Sequence, residues 1–271
     1  MSLLSVENMG ISLVGPGNML VEGINFSLEK GDRLGIIGES GSGKSITALA
    51  LLGLLPGSMK VTGRISLAGT DVVNSSERDL VKIRGSKAAT VFQEPLSALD
   101  PLMKVGRQIA GPLKLHQKLV GEAARREVYK LMERVQLSDP DRISASFPHE
   151  LSGGQRQRIA IAMALACKPE ILIADEPTTA LDVTVQGEVL LLLDKLVKEE
   201  GMSLIFITHD LPVIARVVSR LLVMQDGHIV EEGSTSNIIE SPKHPYTKKL
   251  IEAARTVTAV PYVNEKIGKR K

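Results

Sequence analysis

Residues 38–45 read GESGSGKS and fit the pattern Gly-x-x-x-x-Gly-Lys-Ser between two apolar stretches. Glycine has no Cβ, so successive backbone N–H groups can curl around phosphate oxygens, and a following helix points its positive end at the same oxygens. Lys44 is expected to reach the β- and γ-phosphates of a nucleotide, and the Ser45 hydroxyl to contact Mg²⁺. The predicted phosphate-binding residues are Gly38, Glu39, Ser40, Gly41, Ser42, Gly43, Lys44 and Ser45.

Two acidic residues follow the apolar run ILIA at 171–174. Such a run predicts a buried strand that brings Asp175 to the carboxyl edge of a parallel sheet, where ligands collect. Asp175 is expected to hold Mg²⁺ through water, and Glu176 to polarise a water molecule for attack on the γ-phosphate. Two acids after a strand also fit an ordinary loop, so this interpretation depends on the phosphate loop.

The stretch LSGGQ at 151–155 is a second anion-binding pattern. Ser152 is a good N-cap for the apolar helix predicted after it, and that cap alone could explain the stretch. Gly153 and Gly154 would also present free backbone N–H groups at a helix N-terminus, which is an anion site. Two phosphate-binding patterns far apart in one chain predict half-sites that another subunit completes.

The apolar patterns indicate the elements that must position these residues. Strands are predicted in LLSVENM, VEGINFSLEKG, RLGIIG and AATVFQ, a hairpin in VTGRISLAGTDV, a capped helix in SSERDLVKIRG and a buried helix over 44–55. Residues 97–151 read mostly as helix. Strands and helices alternate again from ILIAD onward, which is typical of a parallel sheet covered by helices. The predicted fold is therefore an α/β core interrupted by a helical insert.

Composition narrows the classes of function. The 271 residues include 33 basic and 31 acidic ones, so a nucleic-acid binder is not expected. A single cysteine, Cys167, excludes an internal disulfide, a multi-cysteine metal site and an iron–sulfur cluster, and fits a reducing compartment. The start lacks a secretory pattern, and no apolar run reaches the ~18–20 residues of a membrane helix, so a soluble cytosolic chain is expected.

The order of the motifs resembles the ATP-binding subunits of ABC transporters. After the phosphate loop come Gln93 in VFQEP, LSGGQ, ILIADEP, ALD ending at Asp182, and His209 in ITHD. The resemblance implies a P-loop NTPase with a RecA-like core, an N-terminal antiparallel β subdomain and an inserted helical subdomain. Its implied segments are 1–96 (β subdomain and first part of the core), 97–155 (helical insert), 156–232 (rest of the core) and 233–271 (tail).

The same resemblance implies roles for individual residues. Glu176 would be the general base, His209 would contact the γ-phosphate, and Lys44 would neutralise charge. Gln93 would join Mg²⁺ and link the nucleotide to the helical insert. Asp182 would lie at a dimer seam. The signature residues that would cap ATP bound by the opposite subunit are Ser152, Gly153, Gly154 and Gln155.

Longer sequence segments, above all HPYTKKL at 244–250, are similar to those of the subfamily that serves oligopeptide, dipeptide and nickel importers. That likeness implies import of peptides or nickel, powered from the cytoplasmic face of the membrane. The implied partners are two membrane-spanning permease subunits, a second related ATPase and, indirectly, an extracytoplasmic substrate-binding protein. An exporter or a non-transport ABC ATPase is the alternative, although fused membrane helices and sustained heptads are lacking.

The chain differs from many members of the family in the residues expected to contact the adenine of ATP. Many ABC ATPases stack adenine on an aromatic residue before the second strand, and residues 11–23 contain none. GTP is therefore expected to compete with ATP. The basic tail NEKIGKRK is expected to be a solvated end.

Overall fold

A computed structural model describes residues 2–15, 18–94, 98–179 and 181–258, which form two β-sheets and a set of helices. The strands are β1 (Leu4–Leu13), β2 (Met19–Leu28), β3 (Arg33–Ile37), β4 (Met59–Leu67), β5 (Thr70–Asp71), β6 (Ala88–Val91), β7 (Ile171–Asp175), β8 (Ser203–Ile207), β9 (Arg220–Gln225) and β10 (His228–Ser234). The α-helices are α1 (Lys44–Leu51), α2 (Glu77–Ile83), α3 (Val105–Gln117), α4 (Gly121–Arg134), α5 (Pro140–Ala145), α6 (Gly153–Leu165), α7 (Val183–Glu200), α8 (Leu211–Val217), α9 (Thr235–Glu240) and α10 (Pro245–Thr258).

The smaller sheet has the order β2-β1-β4-β5, and all of its pairs are antiparallel. Its predicted hairpin is confirmed: β4 and β5 are joined through Ala68 and Gly69, both with positive φ. Two positive φ angles match the right-handed twist of the strands that a tight hairpin joins. This sheet is the predicted antiparallel β portion.

The larger sheet has the order β10-β9-β3-β8-β7-β6 and is parallel except for β10. Every residue of β7 and β8 is buried. Successive side chains point to opposite faces, so Ile171 and Ile173 pack in one apolar core while Leu172 and Ala174 pack in the other. A strand covered on both faces explains the continuous apolar run ILIA.

The helical middle predicted over 97–151 is confirmed by α3, α4, α5 and a 3₁₀ turn at Pro148–Glu150. The residues predicted at helical spacing on α4 and just after it are all buried: Ala124, Val128, Leu131 and Val135. The segment boundaries remain predictions. The boundary between residues 96 and 97 and the tail NEKIGKRK lie outside the described residues.

The helix predicted over 44–55 ends earlier, at Leu51. Gly53 adopts a φ of 62°, and the N–H groups of Gly53 and Leu54 bond back to the carbonyls of Ala50 and Leu49. This is a glycine-terminated helix end, and it acts before the predicted stop at residues 56–57. Arg84 secures the end by donating to the carbonyls of residues 52 and 53.

Candidate functional site

The phosphate loop joins the end of β3 to the start of α1. A Cβ on Gly38 would lie 2.2 Å from the backbone oxygen of Met224. A Cβ on Gly43, whose φ is 100°, would lie 2.8 Å from the side chain of Val21. Neighbouring backbone and β2 thus leave space only for glycine at both positions, while residues 39–41 between them are exposed.

Lys44 is held inside this loop. Its Nζ donates to the carbonyl oxygens of Gly38 and Glu39, both at 2.8 Å, and the residue is only 5% exposed. Burial lowers the pKa of Lys44, and the negative charges of Glu176 and Asp175 partly offset that effect. The ammonium is therefore fixed by the loop backbone in a desolvated position, where its attraction for a phosphate is strong.

Asp175 and Ser45 meet at the carboxyl edge of the sheet. The Ser45 hydroxyl donates to Oδ1 of Asp175 at 3.2 Å. Burial raises the pKa of Asp175; the Ser45 bond and the Lys44 charge oppose this, while the Glu176 charge adds to it. A serine hydroxyl and a carboxylate are hard oxygen donors, and Mg²⁺ usually takes one or two protein oxygens beside phosphate and water. The residues present fit that ion.

Glu176 is the centre of a polar cluster. Its carboxylate accepts from Thr179 Oγ1 at 2.9 Å and from Gln93 Nε2 at 3.3 Å. His209 Nδ1 lies 3.2 Å from Oε1 of the same carboxylate. The backbone of Glu176 has a φ of 45°, and its N–H donates to the carbonyl of Ile207 at 2.9 Å. A non-glycine residue in this region costs ~1–3 kcal/mol, so the sheet edge holds the carboxylate in an unfavourable backbone conformation.

The structure thus brings four of the predicted stretches together. They follow β3, β6, β7 and β8, and the carboxyl ends of these parallel strands lie at one edge of the sheet. Ligands of open parallel sheets bind at this edge. Gln93 and His209 are exposed, while Asp175 and Lys44 are buried. The predicted Mg²⁺ and base residues therefore surround one open face of the phosphate loop.

The signature stretch is built differently. Ser152 caps α6: its Oγ accepts the N–H of Gln155 at 3.3 Å, and Oε1 of Gln155 accepts the N–H of Ser152 at 3.0 Å. Within the described residues, no hydrogen bond joins 151–155 to the phosphate loop. The capped helix start is confirmed, and the role in capping ATP of another subunit stays a prediction.

The start of α6 packs on the start of α7. A Cβ on Gly154 would lie 2.7 Å from Val185, and one on Gly153 would lie 3.3 Å from Leu181. Asp182, predicted at a dimer seam, caps α7 by accepting the N–H of Val185 at 3.0 Å. The signature and Asp182 thus occupy adjoining helix N-termini, on one exposed part of the chain.

Sequence reasoning missed two contacts at the site. Thr179, which donates to Glu176, lies between the motifs ILIADEP and ALD, and neither motif predicts a role for it. Tyr246 accepts a hydrogen bond from the N–H of Glu39 at 2.8 Å, across 207 residues. The HPYTKKL motif drew attention to this segment, but no sequence spacing predicts its contact with the phosphate loop.

The expectation that GTP competes with ATP stays a prediction.

Residues 21–179 match the family described as "ABC transporter", and residues 230–267 match "Oligopeptide/dipeptide transporter, C-terminal region". The oligopeptide transport ATP-binding protein OppD of Bacillus subtilis (strain 168) is 46% identical over 260 residues, which cover 94% of this chain and 72% of that protein. The glutathione import ATP-binding protein GsiA of Escherichia coli (strain K12) is 43% identical, with 96% of this chain and 43% of that protein covered. The chain spans less than half of the glutathione relative.

Solved structures are similar to most of the chain. The ATP-binding cassette MJ0796, in a dimeric post-hydrolysis state bound to ADP and Pi, is 30% identical with a TM-score of 0.77, over 86% of this chain and 98% of that one. The protein cbiO1 from Clostridium perfringens is 27% identical with a TM-score of 0.75, over 95% and 96%. Among the described residues, no helix has the length and apolar character needed to cross a membrane.

These matches confirm the predicted P-loop fold and the resemblance read from the order of the motifs. The chain belongs to the ABC transporter family, in which it is an ATP-binding ATPase.

Proposed function

We propose that this chain is the ATP-hydrolysing subunit of an importer for peptides. A match to the ABC family alone does not identify the transported substrate. The observation that carries the proposal is that residues 230–267 match the family described as the C-terminal region of oligopeptide and dipeptide transporters. The curated relatives are named for oligopeptides and for glutathione, which is itself a small peptide. Nickel, the other cargo implied by the resemblance, stays a prediction without such support.

The proposed reaction converts ATP and water to ADP and phosphate. Lys44, fixed by two loop carbonyls, supplies positive charge to the β- and γ-phosphates. Ser45 and Asp175 would hold Mg²⁺, with Gln93 nearby, and that ion would neutralise charge developing on the phosphates. Glu176 orients a water molecule and accepts its proton, and His209, beside the same carboxylate, contacts the γ-phosphate.

The signature of one chain is proposed to complete the site of another. The N–H of Gln155 donates to Ser152 Oγ, whereas the N–H groups of Gly153 and Gly154 have no partner within the helix and can bind a γ-phosphate presented across an interface. Asp182 on the adjoining helix start would lie at the same seam. The partner ATPase is proposed to be a related, non-identical chain, as the resemblance implies.

The assembly we propose lies at the cytoplasmic face of a membrane. Two membrane-spanning permease subunits would receive the closing and opening of the ATPase pair, and an extracytoplasmic binding protein would deliver the cargo. The nearly balanced charge of +2 gives no reason to add a nucleic-acid partner.

Reconstitution tests the cargo. The complex is purified from membranes through a tag on this chain, inserted into liposomes with its binding protein, and supplied with ATP inside the vesicles or outside. We expect ATP-dependent uptake of labelled di- or oligopeptides that is lost with Glu176→Gln. ATP-driven uptake of nickel without any effect of peptides, or peptide efflux, would contradict the proposal.

A further inference from the structure

Tyr246 contacts the phosphate loop from the first turn of α10. Its hydroxyl oxygen accepts the N–H of Glu39 at 2.8 Å. That N–H belongs to the peptide group between Gly38 and Glu39, and the carbonyl of the same group accepts from Nζ of Lys44 at 2.8 Å. One peptide group therefore connects the tyrosine to the loop lysine. Hydrogen bonds in such a chain strengthen one another.

The segment that carries Tyr246 is held in place by hydrogen bonds to β10 and by packing against the core. Glu231 of β10 accepts the N–H groups of Lys243 and His244, both at 2.9 Å. The N–H of Tyr246 in turn donates to Nδ1 of His244 at 3.3 Å. Ile251, only 2% exposed, packs α10 into the main apolar core. The hydroxyl is thus tied to the central sheet through β10 and to the core through α10.

The charge state of the tyrosine suits a neighbour of phosphate. Burial raises the pKa of Tyr246; the Glu39 hydrogen bond opposes this, and the charges of Glu39 and Asp226 reinforce it. The side chain therefore stays a neutral phenol at physiological pH. A phenolate at this position would repel the triphosphate, whereas a neutral oxygen accepts the loop N–H without that cost.

The loop needs such support because it is rich in glycine, the residue with the largest conformational freedom. Glu39 itself is exposed, and its carbonyl accepts both Lys44 Nζ at 2.8 Å and the N–H of Ser42 at 3.2 Å. A loop ordered before ATP arrives loses less entropy when ATP binds. Fixing Glu39 orders the carbonyls that hold the lysine.

We propose that Tyr246 is a positioning residue for ATP binding: its hydroxyl fixes the Gly38–Glu39 peptide group and thereby the ammonium of Lys44. The segment 243–258 is on this view part of the nucleotide site. The inference concerns ATP binding by this chain and does not depend on which cargo the transporter moves.

Tyr246→Phe is the test variant, because it keeps the ring and removes only the oxygen. The matched control is Tyr129→Phe, which removes a hydroxyl bonded at 2.5 Å to Asp141 on the helical insert. Calorimetry with the full chain and Mg²⁺-ATP should show about 2- to 10-fold weaker binding for Tyr246→Phe, the range for losing one hydrogen bond. The control should bind ATP as the parent does. The KM for ATP should rise while kcat stays close to the parent value.

Hydrogen exchange measured by mass spectrometry separates positioning from mere folding. In Tyr246→Phe without nucleotide, we expect faster exchange in the peptide that covers residues 38–43 and unchanged exchange in α10. Parent-like ATP affinity in Tyr246→Phe would overturn the proposal. So would weaker affinity accompanied by faster exchange in α10 alone, since the tyrosine would then only anchor its own helix.

Discussion

The phosphate-loop half of the ATP site and the signature half differ in how they are built. In the first half, Lys44 and Asp175 are buried: Lys44 bonds two carbonyls of its own loop, and Asp175 bonds Ser45, which is 130 residues away in the chain. In the second half, Ser152 is exposed, and its partner is Gln155, three residues away. The first half is positioned by the packing of the parallel sheet, whereas the second is a local helix cap.

This difference indicates what each half can do alone. The loop half already contains a fixed cation, an oxygen pair for Mg²⁺ and an oriented carboxylate, so a single chain should bind ATP. In the signature half, the side chains of Ser152 and Gln155 already bond to each other's backbone N–H groups. This half therefore offers only the remaining free N–H groups of a helix start. Such groups bind phosphate weakly by themselves and are useful when another chain presents one. The comparison therefore predicts separate binding by each chain and joint hydrolysis.

The largest effect is expected when the loop half loses its base. Glu176→Gln keeps the shape of the side chain and can still accept from Thr179 through its amide oxygen. It removes the group that accepts the proton of water, and a positioned base contributes ~10²–10⁴-fold to rate. We expect kcat to decrease by about 10²–10⁴-fold while the affinity for ATP is retained. Turnover at the parent rate in a phosphate-release assay would show that another group is the base.

The next largest effect concerns the charge that holds ATP. Lys44→Ala removes the cation bonded to Gly38 and Glu39 and leaves the backbone N–H groups of the loop. Hydrogen bonds to charged groups contribute ~1.5–3 kcal/mol, so ATP binding should weaken about 10- to 100-fold. Lys168→Ala, a lysine beyond the end of α6, is the control. Equal affinity of Lys44→Ala and the parent by calorimetry would contradict the assigned role.

A smaller effect, on thermal stability, is expected when the buried charge of Asp175 in the phosphate-loop half is removed. The pKa of Asp175 is raised in the folded chain, so its ionised form destabilises the fold above that pKa, and stability is recovered as pH falls through it. Asp175→Asn keeps an oxygen that can accept from Ser45 and removes the buried charge. Without Mg²⁺ and nucleotide, the variant should therefore melt at a higher temperature than the parent near pH 7.5.

The gain from Asp175→Asn should shrink as the pH is lowered toward the carboxyl pKa, because the parent then loses its charge as well. Thermal melts at several pH values test this, with Asp182→Asn as the control in the exposed cap. A gain that is constant with pH would show that the burial of charge is not its cause.

Sequence reasoning reached the parts of this molecule that depend on local pattern. The continuous apolar run ILIA predicted β7, the glycine pattern predicted the loop, and Ser152 predicted a helix cap. It failed where distant segments decide the outcome. The helix end at Gly53 is held by Arg84, 31 residues further along the chain, and Glu176, whose φ is positive, donates its N–H to the carbonyl of Ile207 on a neighbouring strand. The contact of Tyr246 with Glu39 joins residues that only the fold makes neighbours.

The central claim is that the two halves meet only across chains and through phosphate. Its most direct test is the mass of Glu176→Gln in solution, by light scattering after size exclusion, with and without Mg²⁺-ATP. This chain carries both halves, so a second copy can replace the proposed non-identical partner in vitro: we predict the 29.2 kDa of one chain without nucleotide and about twice that mass with ATP. Adding Gly153→Asp should prevent the larger species, because a carboxylate suits a helix start but repels the partner's γ-phosphate. Gly153→Asn is the uncharged control. A stable dimer without nucleotide, or an ATP-induced dimer that tolerates Gly153→Asp as well as Gly153→Asn, would contradict the account.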